Sequence, residues 1–410
     1  MGAALGLVVL DGCSSSARKS NGGPPVGSFS LPPESTTEPS VAQSSVGGVE
    51  PILDVQTHLL DYDTVPDAPD FWSGFPQKNC GEADPRACFG IDHWMEELFL
   101  RSDTGLAVLS AVPIVSDRDP LSIEIMEHAR RTAARLCGDA QVLLQGHAVP
   151  NVGGIDVALL AMDAVHAEHP IAAWKVYNHA PAPGWSFTDA TGEAFLAKVG
   201  EIAARGGTRI VSVHKGFSGG ASAASPRDIG PAATANPNVR FVVYHSGYEP
   251  GGVEGPYDES GRGVDRLVRS VRDAGVAPGS NVYAELGSTW RSVMGDPDQA
   301  AHVLGKLLLA VGEDNVLWGT DSIWYGSPQD QIQAFRAFQI TAEAQERYGY
   351  PALTPAVKRK VLGENAARIY GIDLDTVAGA ACRFSADDLE RARQESAIGN
   401  VTYGPTGPRA

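Results

Sequence analysis

The amino-acid sequence predicts an α/β protein built as a (β/α)8 barrel, the TIM-barrel fold. Eight short runs of apolar and β-branched residues recur between residues 48 and 372, and stretches of helical length lie between them. This alternation predicts parallel strands joined by crossover helices, and eight strands is the number that closes such a barrel. The runs are apolar throughout, which is typical of strands buried on both faces.

The predicted elements follow one another along the chain. The eight strands are expected at residues 52–58, 105–112, 141–148, 171–177, 209–214, 239–245, 281–286 and 315–320. Helical patterns lie at residues 123–137, 155–166, 191–205, 263–274 and 297–311. A doubly wound sheet is the competing fold, but it expects a glycine-rich phosphate loop after its first strand, and this sequence has none there.

The composition limits the class of protein. Of 410 residues, 43% are hydrophobic and 20% are charged, which excludes a wholly disordered or collagen-like chain. Asp and Glu number 49 against 32 Lys and Arg, so the formal net charge is −17. We therefore expect no nucleic-acid partner, because nucleic-acid binding needs a basic surface. A small-molecule substrate is a separate expectation, which depends on the strand-end residues.

The N-terminal residues resemble a bacterial lipoprotein signal. An apolar run at residues 3–10 precedes Cys13 and a Pro/Gly/Ser-rich stretch at 14–48, which is the order such signals have. This pattern predicts an exported protein with a lipid anchor through Cys13. A disordered cytoplasmic leader is the alternative, because no basic residue precedes the apolar run.

Three regions are predicted along the chain. Residues 1–47 comprise the signal remnant and a disordered linker, residues 48–372 form the barrel, and residues 373–410 form a C-terminal tail with one helix at 385–396. These boundaries follow the change from Pro/Gly/Ser-rich composition to recurring apolar runs and back.

The connection after the first strand, residues 59–91, is unusually long. Loops of this length are uncommon unless they are functional, so we expect it to cap the barrel mouth. Cys80 and Cys88 flank a short loop within it. Their closeness favours a local disulfide in an oxidising compartment, and two free thiols are the alternative.

Polar side chains with metal-binding chemistry end several predicted strands. Barrel enzymes place functional groups at the carboxyl ends of their strands. Imidazoles and a carboxylate from four different strands are the ligands that a divalent metal requires, so we expect a bound ion, zinc first, with manganese or iron as alternatives. The strand-end residues are Gln56, His58, Lys175, His214, His245 and Asp321.

Four of these segments resemble, in order and spacing, the metal-site motifs of the amidohydrolase superfamily, most closely its amidohydrolase-related branch. They are Asp-Val-Gln-Thr-His at 54–58, Val-His-Lys-Gly at 213–216, Tyr-His-Ser-Gly at 244–247 and Trp-Gly-Thr-Asp at 318–321. Residues 362–371 are similar to the closing helix signature of that branch. The resemblance spans roughly residues 50–372 and implies a metal-dependent barrel enzyme.

The resemblance implies a role for each imidazole and for the carboxylate. His58, His214 and Asp321 would bind the metal, and Asp321 would also take a proton from the attacking water. His245 would be a ligand where two metals bind. With a single metal, it would be an acid, a base or a substrate-orienting group.

Other predicted site residues are less closely tied to the family pattern. Gln56 stands where the branch usually has a histidine ligand, and an amide is a poorer ligand. Lys175 would bridge two ions as a carbamate, or else pack or bind substrate. His179, Trp290 and Trp324 lie in or near predicted βα-loops and are expected to line the substrate pocket, with loop packing as the alternative.

The sequence is compatible with three functions. The first is hydrolysis of an amide, lactone or ester by metal-activated water. The second is metal-dependent non-oxidative decarboxylation of a small carboxylic acid, which needs a cation for the substrate carboxylate. The third is a non-catalytic, surface-tethered binding protein. The cations available to a decarboxylase by position are Arg86, Arg291 and Lys215.

Overall fold

The computed structural model describes residues 24–137 and 141–374. Eight parallel strands form one sheet whose strand order follows the chain. The strands are Ile52–Thr57, Thr104–Leu109, Val142–His147, Ile171–Tyr177, Ile210–His214, Arg240–Tyr244, Val282–Glu285 and Val316–Leu317. Each predicted strand is present, and the predicted barrel fold is confirmed.

The sheet closes because its last strand returns to its first. The backbone N–H of Val55 donates to the carbonyl of Trp318 (3.1 Å), and that of Asp321 donates to the carbonyl of Gln56 (2.9 Å). These bonds connect the two edges of the sheet, as does the parallel bridge between Thr57 and Ser322. They also bring the segment after the last strand against the carboxyl end of the first.

One cluster of buried hydrophobic side chains fills the barrel interior, because its residues lie on most of the eight strands. It includes Leu53, Leu106 and Val242. The closing helix Asn365–Tyr370 contributes to the same cluster. Arg240, the first residue of the sixth strand, donates to the carbonyl of Ile369 (2.7 Å). The closing helix thus covers the amino-terminal end of the strands, and the carboxyl end forms the mouth.

The longer helices match the predicted ones closely. They are Ile123–Cys137, Ile155–Glu168, Ala190–Ala204, Asp265–Asp273 and Pro297–Val311. Two begin at an aspartate whose side chain accepts from a backbone N–H of the first turn, Asp189 from Gly192 and Asp296 from Gln299. Within the described residues, no helix has both the length and the hydropathy needed to cross a bilayer.

Shorter helices complete the fold. They are Pro39–Val46, Ile91–Met95, Ile229–Ala235, Thr289–Val293, Gln329–Ala337, Ala342–Tyr348, Pro355–Arg359 and Asn365–Tyr370.

Residues 24–47, predicted as part of a disordered linker, are structured. The strand Gly27–Phe29 pairs antiparallel with Phe338–Ile340, and the helix Pro39–Val46 contacts the helix Gln329–Ala337. The prediction of disorder is wrong here because composition does not reveal a distant strand edge that a short segment can join. Cys13, the anchor prediction and the predicted helix at 385–396 lie outside the described residues, and the domain boundaries stay predictions.

The long connection at residues 59–91 forms an ordered cap. A disulfide joins Cys80 to Cys88, in agreement with the first of the two predicted states. The backbone N–H of Gln77 donates to the carbonyl of Trp324 (3.1 Å), and the ring of Phe75 stacks on the Trp324 indole with centroids 4.5 Å apart. The cap therefore lies on the loop that follows the last strand.

Candidate active site

The carboxyl ends of the strands bring the predicted site residues together at the mouth. Three residues there, His245, Ser288 and Asp321, have left-handed backbone conformations, with φ of 64°, 54° and 62°. Such conformations cost a non-glycine residue roughly 1–3 kcal/mol and cluster at functional sites. The orientation of these three side chains therefore costs the fold some stability.

The carboxylate of Asp321 is the centre of the first group. Its Oδ1 lies 3.1 Å from Nε2 of His58 and accepts a hydrogen bond from Nε2 of Gln56 (2.8 Å). The Trp324 indole N–H donates to the same oxygen (3.1 Å), and the Ser288 hydroxyl donates to Oδ2 (2.5 Å). Four neighbours thus fix a carboxylate whose residue is only 8% exposed.

His214 and His245 form the second group. Nε2 of His245 lies 3.1 Å from Nδ1 of His214, and Nδ1 of His245 lies 2.7 Å from the carbonyl of Gly287. Because a carbonyl only accepts, Nδ1 of His245 carries the proton and Nε2 presents a lone pair. Nδ1 of His214 then donates to that lone pair, which leaves Nε2 of His214 as an acceptor.

The side-chain amide of Gln56 lies between the two groups. Its Nε2 is 3.5 Å from Nε2 of His58 and 3.5 Å from Nε2 of His245. Its buried Oε1 has no hydrogen-bond partner in the described part of the chain. The candidate metal ligands at the mouth therefore form two pairs, His58 with Asp321 and His214 with His245. The amide nitrogen of Gln56 lies between these pairs, and such a nitrogen donates hydrogen bonds and is not a metal ligand. The sequence could not predict which end of the amide faces inwards.

Burial keeps the imidazoles neutral. Desolvation lowers the pKa of His58, lowers that of His214 well below its ordinary value and lowers that of His245 to about 4. Burial alone would raise the pKa of Asp321, but the contacts with His58, His245 and Ser288 outweigh it and hold this pKa well below its usual range. Neutral imidazoles beside an ionised carboxylate are the protonation states that bind a divalent metal.

Lys175 is fully buried below these groups. Its ammonium nitrogen lies 3.8 Å from the centroid of the Tyr244 ring and 4.7 Å from that of Tyr177. The nitrogen has no hydrogen-bond partner among the residues that the structure describes. Desolvation lowers the pKa of Lys175 to about 7, so a substantial fraction of this amine is neutral near physiological pH.

Two buried carboxyl groups support the backbone of the site. Glu285 accepts from the backbone N–H of His245 (2.9 Å) and from that of Gly287 (2.5 Å). Asp54 accepts from the backbone N–H of Gln56 (3.1 Å). Burial raises the pKa of Asp54 to about 7 and that of Glu285 well above its ordinary value. Both groups act on the backbone that carries His245 and Gln56.

The predicted substrate-contacting residues divide between the site and the core. His179 is partly exposed at the rim, with its ring centroid 5.0 Å from that of His214. Trp290 is 1% exposed, and its indole N–H donates to the carbonyl of Gln331 (2.9 Å) beside the ring of Phe335. The prediction that Trp290 lines the pocket is wrong, because its helix turns the indole into the core.

Two residues beside Asp321 have roles that the sequence did not reveal. Ser288 was missed, although its position three residues after the seventh strand, Val282–Glu285, was the available signal. Trp324 was predicted to contact substrate. In the structure it stacks on His58, with centroids 5.0 Å apart, and donates to Asp321; its contact with substrate stays a prediction.

One of the three candidate cations lies near the site. The guanidinium carbon of Arg291 is 4.1 Å from the ring centroid of Tyr325, whose hydroxyl donates to that of Ser288 (3.1 Å). The other two cations are paired with carboxylates elsewhere, Lys215 with Asp228 and Arg86 with Asp84.

A closed parallel barrel with neutral imidazoles and a fixed carboxylate at its mouth is the architecture of a barrel enzyme. A sequence model described as amidohydrolase matches residues 56–372. Because this match spans most of the chain, the protein belongs to the amidohydrolase family and is an enzyme. A search of curated proteins finds no significant match.

Several solved structures are similar to this chain. A TIM-barrel protein from Bordetella bronchiseptica is 14% identical and matches 80% of this chain and 99% of its own, with a TM-score of 0.52. An amidohydrolase from Burkholderia multivorans with bound zinc is 14% identical over 79% and 100%, with a TM-score of 0.49. A 5-carboxyvanillate decarboxylase from Sphingomonas paucimobilis is 14% identical over 79% and 99%, with a TM-score of 0.47. The Bordetella structure supports the barrel fold.

Proposed function

We propose that the protein is a metal-dependent hydrolase that activates water for attack on the carbonyl of a small amide, lactone or ester. The observation that carries this proposal is the ionised, buried carboxylate of Asp321, held by four neighbours beside neutral imidazoles. A carboxylate in this position accepts a proton from an attacking water. The hydrogen bonds from Ser288 and Trp324 orient it for that step.

The donor set fits a divalent ion in its chemistry. His58, His214 and Asp321 would hold the ion, with zinc the first expectation for nitrogen-rich donors and manganese or iron as alternatives. The buried Oε1 of Gln56, which has no hydrogen-bond partner in the described part of the chain, supports this fit. Rotation of the side-chain amide would move its nitrogen out of the space between the two ligand pairs and place this oxygen there as a ligand. When bound, such an ion polarises a carbonyl and lowers the pKa of water.

The remaining site residues have separate tasks in this proposal. Asp321 would pass the proton that it takes from water on to the leaving group, and His245 would help to orient the substrate. With a second ion, Lys175 would provide the neutral amine that a bridging carbamate requires, because burial lowers its pKa to about 7. His179, at the rim, contacts the bound substrate, and Trp324 forms the wall of the pocket beside His58.

The test is a panel of lactones, esters and anilides assayed with zinc-loaded and manganese-loaded protein. We expect turnover of at least one carbonyl class, abolished in Asp321→Asn and retained in Asp163→Asn, a carboxylate on a helix outside the mouth. Turnover that survives in Asp321→Asn would remove this residue from the mechanism. Absence of hydrolysis across the panel, with carbon dioxide released from aromatic acids, would replace hydrolysis by decarboxylation.

Decarboxylation is the second candidate, and Arg291 is the observation that favours it. A decarboxylase needs a cation for the substrate carboxylate, and the guanidinium of Arg291 lies against Tyr325, which contacts Ser288. Under this candidate, Arg291→Gln would raise KM for an aromatic acid without a comparable effect on a neutral ester.

We also propose that the protein is exported and anchored through Cys13. The Cys80–Cys88 disulfide supports this proposal, because disulfides persist in oxidising compartments. Cell fractionation with a Cys13→Ser variant tests it: the variant is expected to move from the membrane fraction to the soluble one.

A further inference from the structure

The cap carries a second group of potential metal ligands, apart from the mouth. Sγ of Cys80 lies 3.6 Å from Nε2 of His93, and that nitrogen lies 3.1 Å from Oε1 of Glu82. The three donor atoms all lie within 4.8 Å of one another, and no other three His, Cys, Asp or Glu donors within the described residues do so. The two barrel-mouth pairs, by contrast, do not form such a group.

These separations match those of ligands on one zinc ion. With zinc–sulfur bonds of about 2.3 Å and zinc–nitrogen bonds of about 2.05 Å, tetrahedral geometry places sulfur and nitrogen about 3.6 Å apart. Nitrogen and oxygen ligands are about 3.3 Å apart in the same geometry. The contacts of His93 with Cys80 and Glu82 thus have lengths close to those within one coordination sphere. The two sulfurs, which are bonded to each other in the disulfide, would have to separate.

Cys88 is the candidate for a fourth ligand. Its sulfur is bonded to that of Cys80, so reduction frees a second thiol next to Cys80, and the residue is fully buried. In the disulfide neither sulfur is a thiolate, and the thiolate is the form that binds metal. Reduction by two molecules of a small thiol breaks the sulfur–sulfur bond, gives two cysteine thiols and converts the reductant into its own disulfide.

We propose that Cys80, Cys88, Glu82 and His93 form a redox-dependent zinc site in the cap. In the oxidised protein the disulfide joins residues 80 and 88. In the reduced protein zinc joins the same two sulfurs, displaces their two protons and adds His93 and Glu82 as ligands. The two cross-links are therefore mutually exclusive and occupy the same place.

Either cross-link would hold the cap on the active site. The side-chain amide of Gln77 donates to the carbonyl of Cys88 (2.9 Å), and its backbone N–H donates to Trp324 (3.1 Å). Trp324 in turn contacts His58 and Asp321. A chain that moves to a reducing environment could thus exchange its disulfide for zinc and keep the cap closed.

Zinc content per chain, before and after reduction of the full-length protein, tests the proposal. We expect the reduced protein to retain about one zinc ion more than the oxidised protein after gel filtration. Any ion at the barrel mouth cancels in this difference, so the result does not depend on the proposed active site. Cobalt in place of zinc should give a thiolate-to-cobalt absorption band in the reduced protein alone.

Variants separate this site from other cysteines. Cys80→Ser and His93→Ala should abolish the added ion and the absorption band, and His128→Ala, an exposed histidine on another helix, should retain both. Because His93 is partly exposed, its replacement leaves the buried Cys88 in place. The variant should therefore fold, and its zinc content can be measured. Equal zinc content in the oxidised and reduced proteins would overturn the proposal, as would an added ion that survives in Cys80→Ser.

Discussion

Replacement of Lys175 by methionine is expected to stabilise the fold, although it removes a residue of the candidate site. Lys175 is fully buried and its amine has no hydrogen-bond partner in the described part of the chain. Burial lowers its pKa from 10.5 to about 7. At about 1.4 kcal/mol per pH unit, the penalty for burying this amine is on the order of 4–5 kcal/mol at and below pH 7.

The pH dependence of this effect has a definite sign. Between pH 10.5 and about 7 the unfolded chain holds a proton on Lys175 that the folded protein does not. Unfolding therefore takes up a proton in this window, and the wild-type protein loses stability as the pH falls through it. Methionine does not titrate, so the stability difference between variant and wild type should grow from pH 10 to pH 7 and level off below.

Lys215 provides a matched control for this experiment. It is equally buried, but its ammonium lies 2.8 Å from Asp228 and donates to the carbonyl of Ala223 (3.0 Å). Lys215→Met leaves the Asp228 carboxylate without its cation and should cost roughly 3–5 kcal/mol. The same substitution should therefore stabilise the fold at Lys175 and destabilise it at Lys215.

The assay is urea-induced unfolding at several pH values between 6 and 9.5, with a chelator present so that bound metal does not contribute. Lys175→Met should require more urea than the wild type, and Lys215→Met should require less. A destabilised Lys175→Met at pH 7, or a difference that does not change with pH, would refute the burial argument.

Three further predictions concern single side chains. Trp324→Phe keeps the stacked ring but removes the hydrogen bond to Asp321, so kcat/KM should fall roughly 10–100-fold while the melting temperature stays near that of the wild type; unchanged kinetics would show that this bond does not orient the carboxylate. Gln56→His replaces the inward amide by a metal ligand and should raise zinc affinity at the mouth by roughly 10–100-fold in chelator competition, whereas equal affinity would show that the amide does not limit binding. Trp290→Leu should lower stability by about 2–4 kcal/mol because it opens the core, yet leave KM unchanged; a raised KM would return Trp290 to the pocket.

The barrel was predictable because its signal is long and repetitive. Runs such as 171–177 and 209–214 are apolar enough to be identified as strands on their own, and their parallel pairing follows from the helices between them. The strand-end positions of His214 and His245 followed from the same pattern. The short strand Gly27–Phe29 was not predictable, because its partner lies more than 300 residues away in the chain.

The residues that form the site were easier to predict from the sequence than the contacts among them. The sequence identified Asp321 but not Ser288, because a serine in a loop after a strand is common and its contact depends on a left-handed backbone. The orientation of the Gln56 amide depends on distances among Asp321, His58 and His245, which no local pattern encodes. Trp290 and Trp324 are both loop tryptophans in sequence, and only the fold turns one to the core and the other to the mouth.

Metal content per chain tests the central claim most directly. Protein purified without chelator or affinity metal should retain about one divalent ion at the mouth, measured by elemental analysis under oxidising conditions that keep the cap disulfide intact. That ion should be lost in both His58→Ala and Asp321→Ala. A content near two ions would add Lys175 and His245 to the ligands. No ion at the mouth, even after incubation with zinc or manganese, would contradict the proposal of a metal-dependent hydrolase.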